Sequence, residues 1–134
     1  MAAAKLKLIV VTPEKQVADA EADEVQLPGE LGYLGVLPGH TTLVTLLKTG
    51  ILSYQNGGTT RAMALAGGFA EIANDTVSVL ADSAQVPADV DAAAAERDRA
   101  AAEEALKTAS FETMEEIRSK LEYAQARLEV ARRG

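Results

Sequence analysis

From Leu6 onward, apolar residues either alternate with polar ones or gather in short runs, and clusters of Gly, Pro, Asn and Asp separate the runs. Successive side chains of a strand point to opposite faces of its sheet, so a half-buried strand has a period of two. That rule predicts strands at 6–12, 16–22, 24–27, 33–37, 42–47, 51–55, 60–66, 69–73 and 77–81. Thr12-Pro13-Glu14, Pro28-Gly29, Pro38-Gly39, Asn56-Gly57-Gly58 and Asn74-Asp75 separate them with residues that tolerate or preset turn dihedrals. The clearest hairpin spans 51–66 around Asn56-Gly57-Gly58. Short strands so punctuated make a small β-sandwich or barrel.

The period then changes. Nine of the ten glycines fall between Gly29 and Gly68, no proline follows Pro87, and alanine becomes dense. Glycine supplies turns and alanine is the best helix former, so the chain divides at Val86-Pro87-Ala88-Asp89 into a β unit, 1–85, and a helical unit, 86–134. Asp89 or Asp91 can cap a first helix with an acidic first turn, running to about Lys107. Thr108-Ala109-Ser110 is a break of the length that joins antiparallel neighbours. The second helix carries one apolar stripe, Phe111, Met114, Ile117, Leu121, Ala124, Leu128 and Ala131, and the first answers with Ala94, Ala101, Ala105 and Leu106. Alanine buries little area, so the αα-hairpin is expected to hold weakly to its surroundings and to move.

Composition then narrows the chemistry. The chain of 134 residues has a formal charge of -7, one histidine and no cysteine. An acidic balance repels phosphate backbones, which argues against a nucleic-acid binder. Without cysteine there are no disulfides, thiolate nucleophiles or cysteine zinc sites, and a single histidine excludes a histidine-rich metal centre. No apolar run approaches a membrane span, and Met1–Lys7 lacks the features of a secretory leader, so the reading is of a soluble intracellular protein without direct membrane insertion.

Candidate chemical groups are few. His40 is either a general base or a turn residue whose ring satisfies backbone groups. Gly67-Gly68 lacks the Lys-Ser/Thr of a phosphate loop and reads as a bulge or a close backbone crossing. The paired carboxylates, Asp23-Glu24, Glu103-Glu104 and Glu115-Glu116, read as solvated faces. No catalytic residue, metal ligand set or cofactor site emerges. Between Ile117 and Gly134, however, Arg118, Lys120, Arg127, Arg132 and Arg133 oppose only Glu122 and Glu129, a local +3. That is either a solvated helix face or an electrostatic contact for an acidic partner.

The ordered set Gly32-Tyr33-Leu34-Gly35-Val36-Leu37-Pro38-Gly39-His40, Thr45-Leu46-Leu47-Lys48-Thr49-Gly50, Gly67-Gly68-Phe69-Ala70-Glu71-Ile72 and Val77-Ser78-Val79-Leu80-Ala81-Asp82 resembles the epsilon subunit family of F-type ATP synthases over the whole chain. The resemblance implies a flattened β-sandwich followed by an antiparallel two-helix hairpin. It implies a non-catalytic rotor subunit beside the gamma subunit and on the c-ring, at the cytoplasmic face of a bacterial membrane or its organellar counterpart. It puts Glu30, Tyr33 and His40 at the ring and stalk contact, with Tyr33 where other members carry Glu.

In many members the hairpin is a mobile inhibitor whose basic second helix reaches an acidic segment of the catalytic beta subunits within the alpha/beta assembly. By that resemblance Arg118, Lys120 and Arg127 are its contacts. Some members bind ATP through an Ile/Leu-Asp-x-x-Arg-Ala motif. Here Val90-Asp91-Ala92-Ala93-Ala94-Ala95 keeps Asp91 and replaces the arginine by Ala94, which implies weak or absent ATP binding. The readings that compete with this one are a generic adaptor for another acidic partner and a small sandwich enzyme acting through His40.

Overall fold

The computed structural model describes residues 4–133; the first residues of the stretch inspected for a leader, and the terminal glycine, lie outside the described residues. Ten strands come first: β1 (Leu6–Val11), β2 (Gln16–Ala22), β3 (Glu24–Gly29), β4 (Gly32–Val36), β5 (Leu43–Leu46), β6 (Gly50–Asn56), β7 (Thr59–Ala66), β8 (Phe69–Ala73), β9 (Thr76–Leu80) and β10 (Ser83–Gln85). A 3₁₀ turn, Pro87–Asp89, leads into α1 (Ala92–Leu106) and α2 (Met114–Arg133). All nine predicted strands are present. The tenth, β10, is too short to show a period and pairs with the end of β7.

The strands form two five-stranded sheets, β2-β1-β9-β8-β5 and β10-β7-β6-β3-β4. Among the described residues only β1 and β9 pair in parallel. The alternation found in the sequence sorts side chains between solvent and the space between the sheets. Leu6, Leu8, Val10, Val25, Leu27, Val36, Leu52, Met63, Leu65, Ile72, Val77 and Val79 fill that space and are nearly inaccessible. This is a sandwich core of large aliphatic side chains.

The longest departure from alternation is in β7. In β7, Ala62, Met63, Ala64 and Leu65 are all buried. Met63 and Leu65 point into the core, while Ala62 and Ala64 lie under Ala126 and Val130 of α2, with Ile51, Val90 and Tyr123 around them. The hairpin therefore rests on the outer face of the second sheet, through small side chains. A hydrogen bond between the Thr49 and Ser119 hydroxyls, 3.0 Å, adds a polar tie.

The helices differ from the prediction at their ends and faces. Asp91 is the α1 cap, its carboxylate accepting from the Ala94 amide at 3.0 Å, whereas Asp89 lies in the 3₁₀ turn and pairs with Lys15 at 3.6 Å. With the cap at Asp91 the first turn is alanine and carries no acid. Ser110 and Thr113 bond each other's backbone amides across the turn that precedes α2, and Phe111, within that turn, is 95% exposed. The buried alanines of α1 are Ala95 and Ala102, two turns apart, and Ala101 is exposed. Alanine packing between the helices holds, with Ala95 and Ala102 buried and the expected Ala94, Ala105 and Leu106 half-buried.

A polar clasp closes the end of the sandwich near the N-terminus. Lys5 Nζ lies 2.5 Å from Asp23 Oδ1 and 3.0 Å from Asn56 Oδ1, and the Gly57 amide donates to Asp23 Oδ2 at 2.9 Å. The hydrogen bond from Lys5, and then that from Gly57, holds the Asp23 carboxyl below the ordinary carboxylate range. A depressed folded-state value stabilises the fold above the unfolded value and stops doing so as pH falls through the folded one. The urea midpoint should therefore decline as pH is lowered through the carboxylate range, and Asp23→Asn should shrink that decline. Equal pH slopes for parent and variant would refute the assignment.

Candidate functional site

The β3–β4 turn follows from two glycines. Gly29 pairs with Gly32, a Cβ on Gly29 would lie 2.7 Å from the Gly32 carbonyl oxygen, and Gly32 has φ of 126°. Glu30 and Leu31 occupy the turn between them. It is braced from the side: the Glu30 amide donates to the Leu46 carbonyl at 3.1 Å, and the Lys48 amide donates to that of Pro28 at 2.8 Å. Tyr33 pairs with Pro28, and its hydroxyl accepts from the Ile51 amide at 3.4 Å.

His40 is not with them. It sits at the far end of β4 and β5, where Gly39 donates to Asp75 Oδ1 at 2.7 Å, and its Nδ1 lies 2.6 Å from the Thr41 carbonyl. That neighbour leaves it satisfied as a turn residue.

Next to the braced turn, the outer face of the first sheet carries residues that sequence reasoning had passed over. Leu46 pairs with Phe69 and Phe69 with Leu80, so the three form one row across β5, β8 and β9. They are 59%, 42% and 48% exposed, and Val44 on the same edge strand is 63% exposed. The signal was available: period two sets Phe69 and Leu80 opposite the buried Ala70, Ile72, Val77 and Val79. A contiguous row of large apolar groups on a sheet face marks a surface that a partner covers.

The hairpin offers a second surface. Met114, Ile117, Leu121, Ala124, Leu128 and Ala131 recur at alternating spacings of three and four, the seam of a helix that packs on another helix. Arg118 and Arg132 flank the seam on one side, Lys120 and Arg127 on the other. Of the six seam residues only Ala124 is fully buried, and a cavity of about 410 Å³ opens where Ile117 and Lys120 face Ala101 and Ala105. Arg118 and Lys120 are exposed and form pairs within α2 with Glu115 at 3.0 Å and Glu116 at 3.6 Å, which solvent keeps weak. Arg127 is different. Its side chain is 14% exposed, it reaches Asp98 of α1 at 2.6 Å, and its guanidinium lies 5.0 Å from the Tyr123 ring centre. It ties the two helices together, and sequence reasoning had found neither of its partners.

Comparison with known proteins gives the following likenesses. The family described as "ATP synthase, Delta/Epsilon chain, beta-sandwich domain" matches residues 5–87. The ATP synthase epsilon chain of Myxococcus xanthus (strain DK1622) is 42% identical over 131 residues, 98% of this chain and 94% of that one. The ATP synthase epsilon chain of Synechococcus sp. (strain RCC307) is 52% identical over 75 residues, so in that match the chain spans just over half, 56%, of the relative's length. Among solved structures, a chain of the Euglena gracilis mitochondrial ATP synthase, in its OSCP/F1/c-ring assembly, superposes with a TM-score of 0.79 at 21% identity, covering 96% of this chain and 82% of that one. A chain from the central stalk and c-ring of the Tetrahymena thermophila enzyme gives 0.54 at 15% identity, covering 66% and 71%. These two likenesses concern the fold: a sandwich followed by helices.

Proposed function

This chain belongs to the ATP synthase delta/epsilon family, and on that premise we propose that it is the epsilon subunit of the central stalk, seated on the c-ring and fixed to the gamma subunit. The row Leu46, Phe69 and Leu80 carries the reading. Three large apolar side chains in register are costly on a free surface and suit a lasting partner. We assign that face to the gamma subunit and the adjoining β3–β4 turn to the ring.

Two sheets interlocked through a dense aliphatic core resist shear, as a part that transmits torque must. The chemistry of the complex belongs to its alpha and beta subunits, and this chain has a coupling role. Its place is peripheral to the membrane; among the described residues no helix is long and apolar enough to cross one.

The sandwich and the helical hairpin work as two units in this reading, and the hairpin restrains ATP hydrolysis. Its under-filled seam, flanked by cations, suits an acidic helical segment of the beta subunits. Arg118 and Lys120 are free to steer the approach because their present pairs are weak. Arg127 joins them only after leaving Asp98. Asp91 is occupied as a cap and Ala94 provides no guanidinium, so ATP binding by the hairpin is weak or absent.

Deleting residues 88–134 tests the regulatory half of the reading. The reconstituted complex with the truncated chain is expected to hydrolyse ATP several-fold faster than with the full chain. An unchanged rate would remove the inhibitory role and leave the structural one standing.

A further inference from the structure

We infer that Leu31, not Tyr33, is the side chain with which the β3–β4 turn engages the surface beneath it, and that this surface presents an apolar recess to it. The inference rests on the proposed seating of this chain on the c-ring and assigns the contact within it.

Leu31 is 103% exposed, as open as a side chain in an extended peptide. A single exposed leucine is ordinary on a protein surface. What sets Leu31 apart is how it is held. Turn centres favour Gly, Asn, Asp, Ser and Pro, yet here a bulky aliphatic group stands at the apex. The bonds from Glu30 to Leu46 and from Lys48 to Pro28, together with the bridge between Gly29 and Leu47, stop the turn folding back to shelter it. A rigidly presented apolar knob loses little freedom when it enters a recess, so nearly all its burial counts toward binding. The turn that carries Leu31 lies beside one end of the exposed apolar row, because the Leu46 carbonyl accepts from the Glu30 amide.

Tyr33 points elsewhere. Its hydroxyl is tied to the Ile51 amide, and a Cβ on Gly50 would lie 3.5 Å from that oxygen. With Gln26, Ile51, Ser53 and Arg133 it lines a shallow cleft on the face of the second sheet that carries α2. Its ring therefore lies along the sheet on the hairpin side, away from the apex of the turn.

An apolar contact has a distinctive signature. Attraction between exposed charges fades with ionic strength, whereas burial of an aliphatic group does not. The test uses ATP synthase depleted of this subunit and reconstituted in vesicles with the full-length chain, reading proton pumping per ATP hydrolysed and retention of the chain on the ring. Parent protein should restore pumping, with a ring affinity that varies less than about threefold across a tenfold range of salt.

Leu31→Asp should weaken ring binding at least about tenfold and Leu31→Ser several-fold, with unchanged thermal melting of the free chain, while Tyr33→Phe should stay within about twofold of the parent. If the parent restores pumping and both Leu31 variants match it, the assignment to Leu31 is overturned and the seating stands. A ring affinity that collapses with salt overturns the apolar character of the contact. If the parent itself restores nothing, the seating fails and the inference with it.

Discussion

Gly68→Val is expected to cost at least about 3 kcal/mol of folding stability and to leave much of the protein unfolded under conditions where the parent is native. Two effects act together at this position. The backbone has φ of 109°, outside the range open to β-branched residues. A Cβ there would also fall inside the Leu80 carbonyl oxygen and lie 2.8 Å from Ala81 Cα, and backbone at that distance has no rotamer by which to retreat. Gly68 further supplies the carbonyl that accepts from the Leu47 amide at 2.9 Å, which anchors the loop beside the β3–β4 turn. Gly57 is the control: its φ of 60° is also positive but nothing lies within 4 Å of its Cβ position, so Gly57→Ala should cost only about 1 kcal/mol. Urea midpoints followed by circular dichroism separate the two, and similar midpoints for Gly68→Val and Gly57→Ala would show that the crossing is looser than described.

Replacing Leu46 and Phe69 together by aspartate should weaken association with the gamma subunit at least about 100-fold, since anchors at the centre of an apolar interface each carry a large share of its energy. Both side chains are substantially exposed in the free chain, so the double variant should melt as the parent does. Leaving two carboxylates under a covering partner costs more than removing the apolar contact alone. Co-elution of the variant with purified gamma subunit at the parent's affinity would sink the assignment of this face.

Much of this molecule is legible from its residues, for identifiable reasons. The strands were found because a sandwich buries one face of each strand, and that burial is what a period of two records. Where an element is buried on both faces the period vanishes: Ala62-Met63-Ala64-Leu65 reads as an undivided apolar run, so nothing in it announced that α2 lay on the other side. The cap at Asp91 was one of two chemically equivalent candidates, and only the backbone path through Pro87 chose between them. Phe111 fits the helical period yet lies in the turn ahead of the helix, because a period alone does not fix where a helix starts.

The candidate sites were less legible. The resemblance points to Glu30 and Tyr33, but the apex of the turn depends on the register of Gly29 with Gly32. The partnership of Arg127 with Asp98 spans 29 positions in the chain and is set by how α1 lies on α2, a relation that local spacing does not contain.

The alanines on the outer side of β7 also bear on colloidal behaviour. A hairpin that lifts away from Ala62 and Ala64 uncovers methyl groups on a strand paired with β6 along its length and with β10 from Ala64 onward. Methyl groups make a poor site for self-association, because broad greasy patches are what recruit other chains. Leucine at either position would bind α2 more firmly but would leave a sticky surface each time the helices departed. On the proposed reading, in which the hairpin departs and returns, the thrift of this contact keeps the opened chain from precipitating.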